Sequence, residues 1–466
     1  MRLQTYGLCI MLVLLVGCSK QLPDEPYGNQ PPETYVTLFP DGALRSTPSQ
    51  QHLYWWGVDP DGFVKGYHFS FDSIHWTFTT LNDSLFGLKI GRPDTNYRFF
   101  VAAVDDQGVI DPTPARFTFP IHNTPPVVSF VTKSDVPEST YAVATFQWNG
   151  TDIDGDETIA AFLYALDDTT NAANWKSVSG DANRVTLRKT DGLTEGRHVF
   201  YLRARDVAGA YSAMIRMPLD TAKTWYVKEP KGDFLIIDDY GIADATASFY
   251  SQLFDTLMGG RLKARDVWDI KAGYTNTSRG KYVPALINPT FSETMKLFRY
   301  VLWYADYQPQ LEIAQGAIPD FNRSGGKVLF ANGFSQYPPD QRGFGDFAPV
   351  ENVEPAYFTS ILLANDSVVA VDPSYPRLTR DGAGTIYQFP RGLLPKVNAR
   401  ILYKMGSSPR WASRDTIPII MGVKDADHPS LVMVAILLHR FGGNGTTTNN
   451  VPAFLRKVFR DEFGVQ

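Results

Sequence analysis

Apolar and polar positions change their rhythm once along this chain. Between Tyr54 and Arg205 the apolar residues come in short aromatic and β-branched runs, broken by Asp, Gly and Pro at turn-like intervals. That rhythm predicts antiparallel strands, for example 66–71, 97–104 and 199–205, packed as sandwiches. From Lys231 onward the runs are unbroken and alternate with helical stripes. Phe234-Leu235-Ile236-Ile237, ending in Asp238-Asp239, reads as a strand buried on both faces. A helix follows, with Asp244 at its start, Phe249, Leu253, Phe254 and Leu257 on one stripe and Gly259-Gly260 as its stop. Strands at 266–270, 301–306 and 327–330 alternate with helices around 293–300 and before Gly325-Gly326, which predicts an open α/β sheet. The ending repeats that grammar, with strands at 417–423 and 431–438, a turn at 441–444 and a closing amphipathic helix over 451–463. The segment 337–413 is rich in Pro, Gly and Asp and reads as an irregular insertion bearing short strands at 367–371 and 400–403.

The first region is one unit used twice. Tyr54-Trp55-Trp56-Gly57-Val58-Asp59-Pro60-Asp61-Gly62 is answered by Gln147-Trp148-Asn149-Gly150-Thr151-Asp152-Ile153-Asp154-Gly155. Trp76 is answered by Trp175, and Asp105 with Gly108 by Asp206 with Gly209. The early tryptophan and the final Asp-x-x-Gly turn resemble fibronectin type III and related immunoglobulin-like modules of secreted bacterial proteins, over 33–121 and 124–227. Pro125-Pro126 makes a stiff joint between them.

The order of elements in 231–466 resembles the class I glutamine amidotransferase-like fold, over 232–335 and 415–464. The resemblance implies a doubly wound, flavodoxin-like α/β domain. The catalytic members of that family carry a cysteine nucleophile on the tight turn that is written here Ala331-Asn332-Gly333-Phe334. No cysteine stands there, so thiol chemistry does not carry over. The expected fold class is therefore two all-β immunoglobulin-like sandwiches followed by an amidotransferase-like α/β doubly wound domain.

The start of the chain places it in the cell. Arg2, an apolar run from Leu8 to Val16, and then Leu15-Val16-Gly17-Cys18 have the layout of a secretory leader, too short to span a bilayer as a helix. They resemble a bacterial lipoprotein signal, which implies removal of 1–17 and lipidation of Cys18. Ser19 in place of Asp resembles lipoproteins passed on to the outer membrane. Residues 18–32, with Pro23, Pro26, Pro31 and Pro32 among polar neighbours, read as an extended tether. The expected partner is thus the membrane, through the lipid on Cys18, with an envelope protein or glycan as a further partner.

Composition narrows the chemistry. The two cysteines are Cys9, lost with the leader, and Cys18, so the mature chain has no disulfide, thiolate nucleophile or cysteine metal site. Hydrophobic residues make up 44% of the chain and aromatic ones 13%, enough for about three cores. Net charge is −5, which gives nucleic acid no electrostatic invitation.

Two groups of polar residues are candidates for a site. Asp59, Asp61 and Asp105, with Asp152, Asp154, Asp156 and Asp206, are oxygen donors of the kind calcium takes. The same Asp-x-Asp-Gly pattern is what a tight turn wants, and both readings stand open. Trp55, Trp56 and Trp76 serve either as sandwich core or as platforms for sugar rings. In the α/β domain Asp238, Asp239, Tyr240, Asp306, Asn332 and Ser335 follow strand ends, where such sheets bind ligands. They could hold a ligand or a divalent metal, or simply cap turns. His428 and His439 lack a sequence-framed nucleophile such as Gly-x-Ser-x-Gly. These observations lead to an envelope protein for recognition or scaffolding, with no cofactor required. A hydrolase of envelope glycans or peptides using the strand-end acids, and a sandwich adhesin, are the alternatives.

Overall fold

The computed structural model describes residues 28–38, 50–88, 94–132, 135–271, 283–284, 288–334, 342–354, 361–381, 389–414, 417–443 and 448–466. The leader, Cys18 and Ser335 lie outside them. The chain divides into two compact units: Met1–Thr124 with Asp152–Thr158 and Val207–Ala210, and Pro125–Thr151 with Ile159–Asp206 and Tyr211–Gln466.

The first sandwich is built from β1 (Glu33–Leu38), β2 (Gln50–Val58), β3 (Val64–Ser70), β4 (Thr77–Thr79), β5 (Asp83–Gly87), β6 (Asp94–Asp105) and β7 (Ala115–His122). They form a three-stranded sheet, β1-β2-β5, and a four-stranded sheet, β4-β3-β6-β7. Alternation along β2 decides which face each residue takes. Leu53 and Trp55 are fully buried, whereas Trp56 is 39% exposed. The Trp55 ring meets Tyr67, Phe69, Phe86 and Phe99 at 5.5–6.3 Å, so this tryptophan joins the two sheets.

The second sandwich repeats the plan with β8 (Val127–Phe130), β9 (Ser139–Tyr141), β10 (Val143–Thr151), β11 (Ile159–Leu166), β12 (Lys176–Ser179), β13 (Arg184–Arg188), β14 (Gly196–His198), β15 (Phe200–Asp206), β16 (Ile215–Met217) and β17 (Trp225–Lys228). Its sheets run β13-β10-β8 and β12-β11-β15-β16, the orders of the first module with each strand replaced by its counterpart. A small β14-β17-β9 sheet is added. The repeat in sequence is therefore a repeat in topology.

The remaining strands are β18 (Phe234–Asp239), β19 (Arg265–Asp269), β20 (Tyr300–Ala305), β21 (Lys327–Ala331), β22 (Val350–Val353), β23 (Ser367–Ala370), β24 (Leu378–Thr379), β25 (Leu393–Pro395), β26 (Arg400–Met405), β27 (Ile420–Lys424) and β28 (Leu431–Val434). Nine of them make one sheet in the order β19-β18-β20-β21-β28-β27-β26-β23-β24. Pairing is parallel from β19 to β28 and antiparallel beyond. Every residue of β18, β20 and β28 is buried, as the unbroken apolar runs require.

Helices α1 (Thr246–Thr256), α2 (Thr290–Met295), α3 (Leu311–Arg323) and α4 (Val451–Arg456) accompany the parallel strands. Trp303 and Tyr304 are successive and face opposite ways; the first meets Phe291 of α2 and the second stacks on Tyr250 of α1 at 4.4 Å.

Three expectations need correction. The sheet is mixed: β27 runs antiparallel to β28, and 337–413 adds β26, β23 and β24 beyond it as well as the separate β22–β25 pair. The helix expected over 293–300 ends at Met295, since Tyr300 already pairs with Phe234. The strand expected over 431–438 ends at Val434, and His439 lies in the helical turn Leu438–Arg440.

Within its unit the second sandwich is fastened to the large sheet. On one edge of β10, residues 143–147 pair with β13, while β8 covers only 148–151 of the other edge. That leaves the Thr145 amide and carbonyl without a strand partner on the second edge. Side chains take its place: Thr145 N–H donates to Thr290 Oγ1 at 2.8 Å, and Asn288 Nδ2 donates to Thr145 O at 3.0 Å. Tyr141, 1% exposed, packs on Trp268 and Phe298 and belongs to the core of the large sheet.

Candidate functional site

The chain passes from β18 to β19 on one side and then to β20 on the other, so strand order reverses at β18. The carboxyl ends of β18 and β20 flank this reversal, the place where open α/β sheets form a ligand crevice. Asp238, Asp239 and Asp306 stand there.

Their surroundings are not alike. Asp239 is fully buried. Its Oδ2 accepts the Gln310 amide at 2.6 Å and the Trp303 indole N–H at 3.2 Å. Its Oδ1 has no hydrogen bond, but the Lys271 ammonium lies 3.7 Å away. Asp306 accepts the Gly241 and Gln308 amides at 2.8 and 2.7 Å, and Lys271 Nζ at 3.2 and 3.3 Å. Lys271 completes its coordination on the Gln308 carbonyl at 2.6 Å. One ammonium between two buried carboxylates balances half of their charge, and backbone amides with the Trp303 indole take other lone pairs.

Asp238 points away from this triad and accepts the Tyr240 amide at 3.1 Å. Burial pushes Asp238 up to about 6, against a hydrogen bond from Tyr304. Burial likewise pushes Asp239 up to about 7, against the pull of Lys271.

Tyr240 belongs to a second group. Its hydroxyl donates to Asp244 Oδ2 at 2.9 Å and lies 3.3 Å from His439 Nε2. Arg440 also donates to Asp244, at 2.7 Å. Although burial opposes ionisation, hydrogen bonds from Thr246 and Tyr240 hold the Asp244 carboxyl below the usual range. Burial pushes the His439 imidazole down to about 4, leaving it neutral at pH 7. The N-cap of α1 is Ala245, not the expected Asp244, and it makes no side-chain cap bond; Asp244, one residue earlier, accepts the Thr246 amide at 2.9 Å in a turn that leads into the helix.

Asn332 is fully buried after β21; its Nδ2 donates to the Gly333 carbonyl, and its Oδ1 has no partner. The structure thus joins Asp239 to Asp306, and separates both from Asp238, Tyr240 and Asn332. Sequence reasoning passed over Lys271, the residue that joins them. Its only signal was a cation two residues beyond the end of β19.

The turn aspartates of the sandwiches mainly hold backbone. Asp105 accepts the amides of Gln107 and Val109 at 2.9 and 2.8 Å and Asn29 Nδ2 at 2.5 Å. Asp61 accepts the Gln30 amide, and Asp59 the Asp61 amide. Asp152 accepts the Asp154 amide, and Asp154 the Thr124 amide. Asp206 is 2% exposed at the end of β15. Burial, with the nearby charges of Asp61 and Asp105, raises Asp59. Among the described residues, no three carboxylate, imidazole or thiol side chains are grouped so as to hold a metal ion. Nor is any described helix long and apolar enough to cross a membrane.

Of the three tryptophans, Trp55 is core, while Trp56 and Trp76 are 39% and 37% exposed. Trp56 stacks on Tyr35 across β1 and β2 at 5.3 Å.

No family model matches the chain, and no curated protein matches it. Solved structures similar to it include fibronectin(III)-like modules of Clostridium thermocellum CbhA, at 17% identity and TM-score 0.18, covering 42% of this chain and 95% of that one. A two-domain fibronectin type III segment of chicken tenascin matches at 17% identity and TM-score 0.23, covering 40% of this chain and 97% of that one. The PKD1 domain of Vibrio anguillarum Epp matches at 16% identity and TM-score 0.16, covering 20% and 96%. The assignment of β-sandwich modules rests on the chain's own strand order.

Proposed function

We propose that this chain is an exported lipoprotein, anchored through Cys18 in the cell envelope, most fittingly the outer membrane, where it recognises or scaffolds an envelope protein or glycan without catalysing a reaction. In this reading 231–466 is an amidotransferase-like, doubly wound domain elaborated by antiparallel strands, and the sandwiches present it away from the membrane. The observation that carries the non-catalytic reading is the closure of the strand-end acids. A hydrolytic pair needs one carboxyl free to move a proton and another free to attack or to activate water. Here Lys271 and four N–H donors occupy Asp239 and Asp306.

One observation favours the hydrolase alternative. Carboxyls raised to about 6 and 7 at a strand-end reversal are what a general acid requires. Incubating the full chain with peptidoglycan fragments and envelope peptides, beside Asp239→Asn and Asp306→Asn, separates the readings. The scaffold reading expects no turnover from any of the three, while turnover lost in a folded variant would establish the hydrolase. For the anchor, Cys18→Ser is expected to abolish fatty-acid labelling and release the protein from the membrane fraction.

A further inference from the structure

A groove of about 600 Å³ opens between the turn that follows α1 and the last residues of the chain, and none of the strand-end acids lines it. Arg261, Arg456 and Arg460 line it, over a floor that includes Met258 and Val465, and its lining contains no acidic side chain. Arg456 and Arg460 are four apart on the closing helix, α4 and the wider turn Lys457–Glu462 that continues it, so they share one face. Arg261 reaches the groove from the other wall, immediately after the turn Leu257–Gly260. That turn holds Met258 and Gly259 at φ 54° and 68°, the left-handed region, which turns the chain sharply after α1.

All three arginines are exposed. Arg460 shares its Nε–H with the neighbouring Asp461 at 2.9 Å, while Arg261 and Arg456 form no hydrogen bond or ion pair with a described residue. The chain as a whole carries an excess of acids, with a net charge of −5. Three like charges around one concavity repel one another and raise the local concentration of anions. Guanidinium groups are planar forks that match phosphoryl oxygens two at a time. We propose that this groove binds a phosphoryl anion, with Arg261, Arg456 and Arg460 as its ligands and the apolar floor receiving whatever the phosphoryl group is attached to.

The test uses the full chain and two probes. Inorganic pyrophosphate is titrated calorimetrically at low salt, and co-sedimentation is measured with vesicles of phosphatidylcholine alone or mixed with phosphatidylglycerol. The triple variant Arg261→Gln, Arg456→Gln, Arg460→Gln is compared with a charge-matched control, Arg184→Gln, Arg323→Gln, Arg400→Gln. The three control positions are exposed and lie outside the groove, and circular dichroism checks that both variants fold. The expected result is binding of at least one probe, weakened about tenfold or more by the groove variant and little changed by the control. Pyrophosphate binding identifies a soluble phosphoryl ligand, and binding confined to phosphatidylglycerol vesicles identifies a lipid headgroup. Equal weakening in both variants would reduce the effect to net charge and overturn the proposal, as would binding of neither probe by the wild-type chain.

Discussion

Truncating Asn288 tests how the second sandwich is held to the large sheet. Asn288 Oδ1 accepts the Thr290 amide at 2.9 Å and the Thr290 hydroxyl at 2.8 Å, while its Nδ2 reaches the Thr145 carbonyl. The residues involved are nearly inaccessible, at 2% for Asn288, 1% for Thr290 and 0% for Thr145. Asn288→Ala therefore strands two buried donors and one buried acceptor. At about 1–3 kcal/mol for each unsatisfied group, the loss would reach about 3–9 kcal/mol. The adjoining crevice of about 40 Å³ is large enough to admit a water to the vacated space, so the lower end applies, about 3 kcal/mol.

The assay is urea unfolding followed by hydrogen–deuterium exchange, read separately on peptides of the second sandwich and of the sheet domain. Wild-type protein is expected to lose both signals in one transition, and Asn288→Ala to move that transition to lower urea. A double-mutant cycle with Thr290→Val should give a coupling above about 1 kcal/mol, since the two side chains share partners. Sandwich and sheet melting separately in the wild type, or a loss below about 1 kcal/mol in Asn288→Ala, would refute the reasoning.

Further outcomes follow from the strand ends and the sandwich core. Lys271→Met leaves the buried Asp239 and Asp306 facing each other without a cation, and is expected to cost about 3–5 kcal/mol in thermal unfolding. Adding Asp306→Asn should restore part of that loss; no recovery would contradict the triad. Because Asp238 and Asp239 titrate near 6 and 7 when folded, above the ordinary 3.8, the folded state holds extra protons between about pH 4 and pH 7. Stability then falls as pH rises through that window, and Asp238→Asn should remove about 3 kcal/mol of the fall. Unfolding curves at pH 4 and pH 8 check this, and parallel curves for wild type and variant would count against it. In the first sandwich Trp55→Ala is expected to cost about 3–5 kcal/mol and Trp56→Ala only about 1 kcal/mol, as the two differ in burial and not in type. Equal losses in denaturant unfolding would mean that β2 is out of register.

Rhythm and repetition in the sequence determined the two sandwich modules, the buried strands around Phe234, Val301 and Val328, and the aspartate turn at Asp244 that leads into α1. The turn 331–334 carries no cysteine, and the leader pattern set the expectation of an anchor at Cys18. These are legible because they depend on residues close together in the chain: periodicity decides which face is buried, and the side chain of a turn aspartate reaches only a few residues. Tertiary structure alone decided the rest. Nothing local to Lys271 states that its ammonium will meet Asp239 and Asp306, which lie 32 and 35 residues away in the sequence. Nothing local to 367–370 or 400–405 states that these strands extend the main sheet, since any short apolar run can pair with several edges. Asn288 and Thr290 finish an edge near Thr145, some 143 and 145 residues distant, because an unpaired buried amide and carbonyl there would be costly. Burial of charge and completion of hydrogen bonds are conditions on the whole fold, and only the fold shows how this chain meets them.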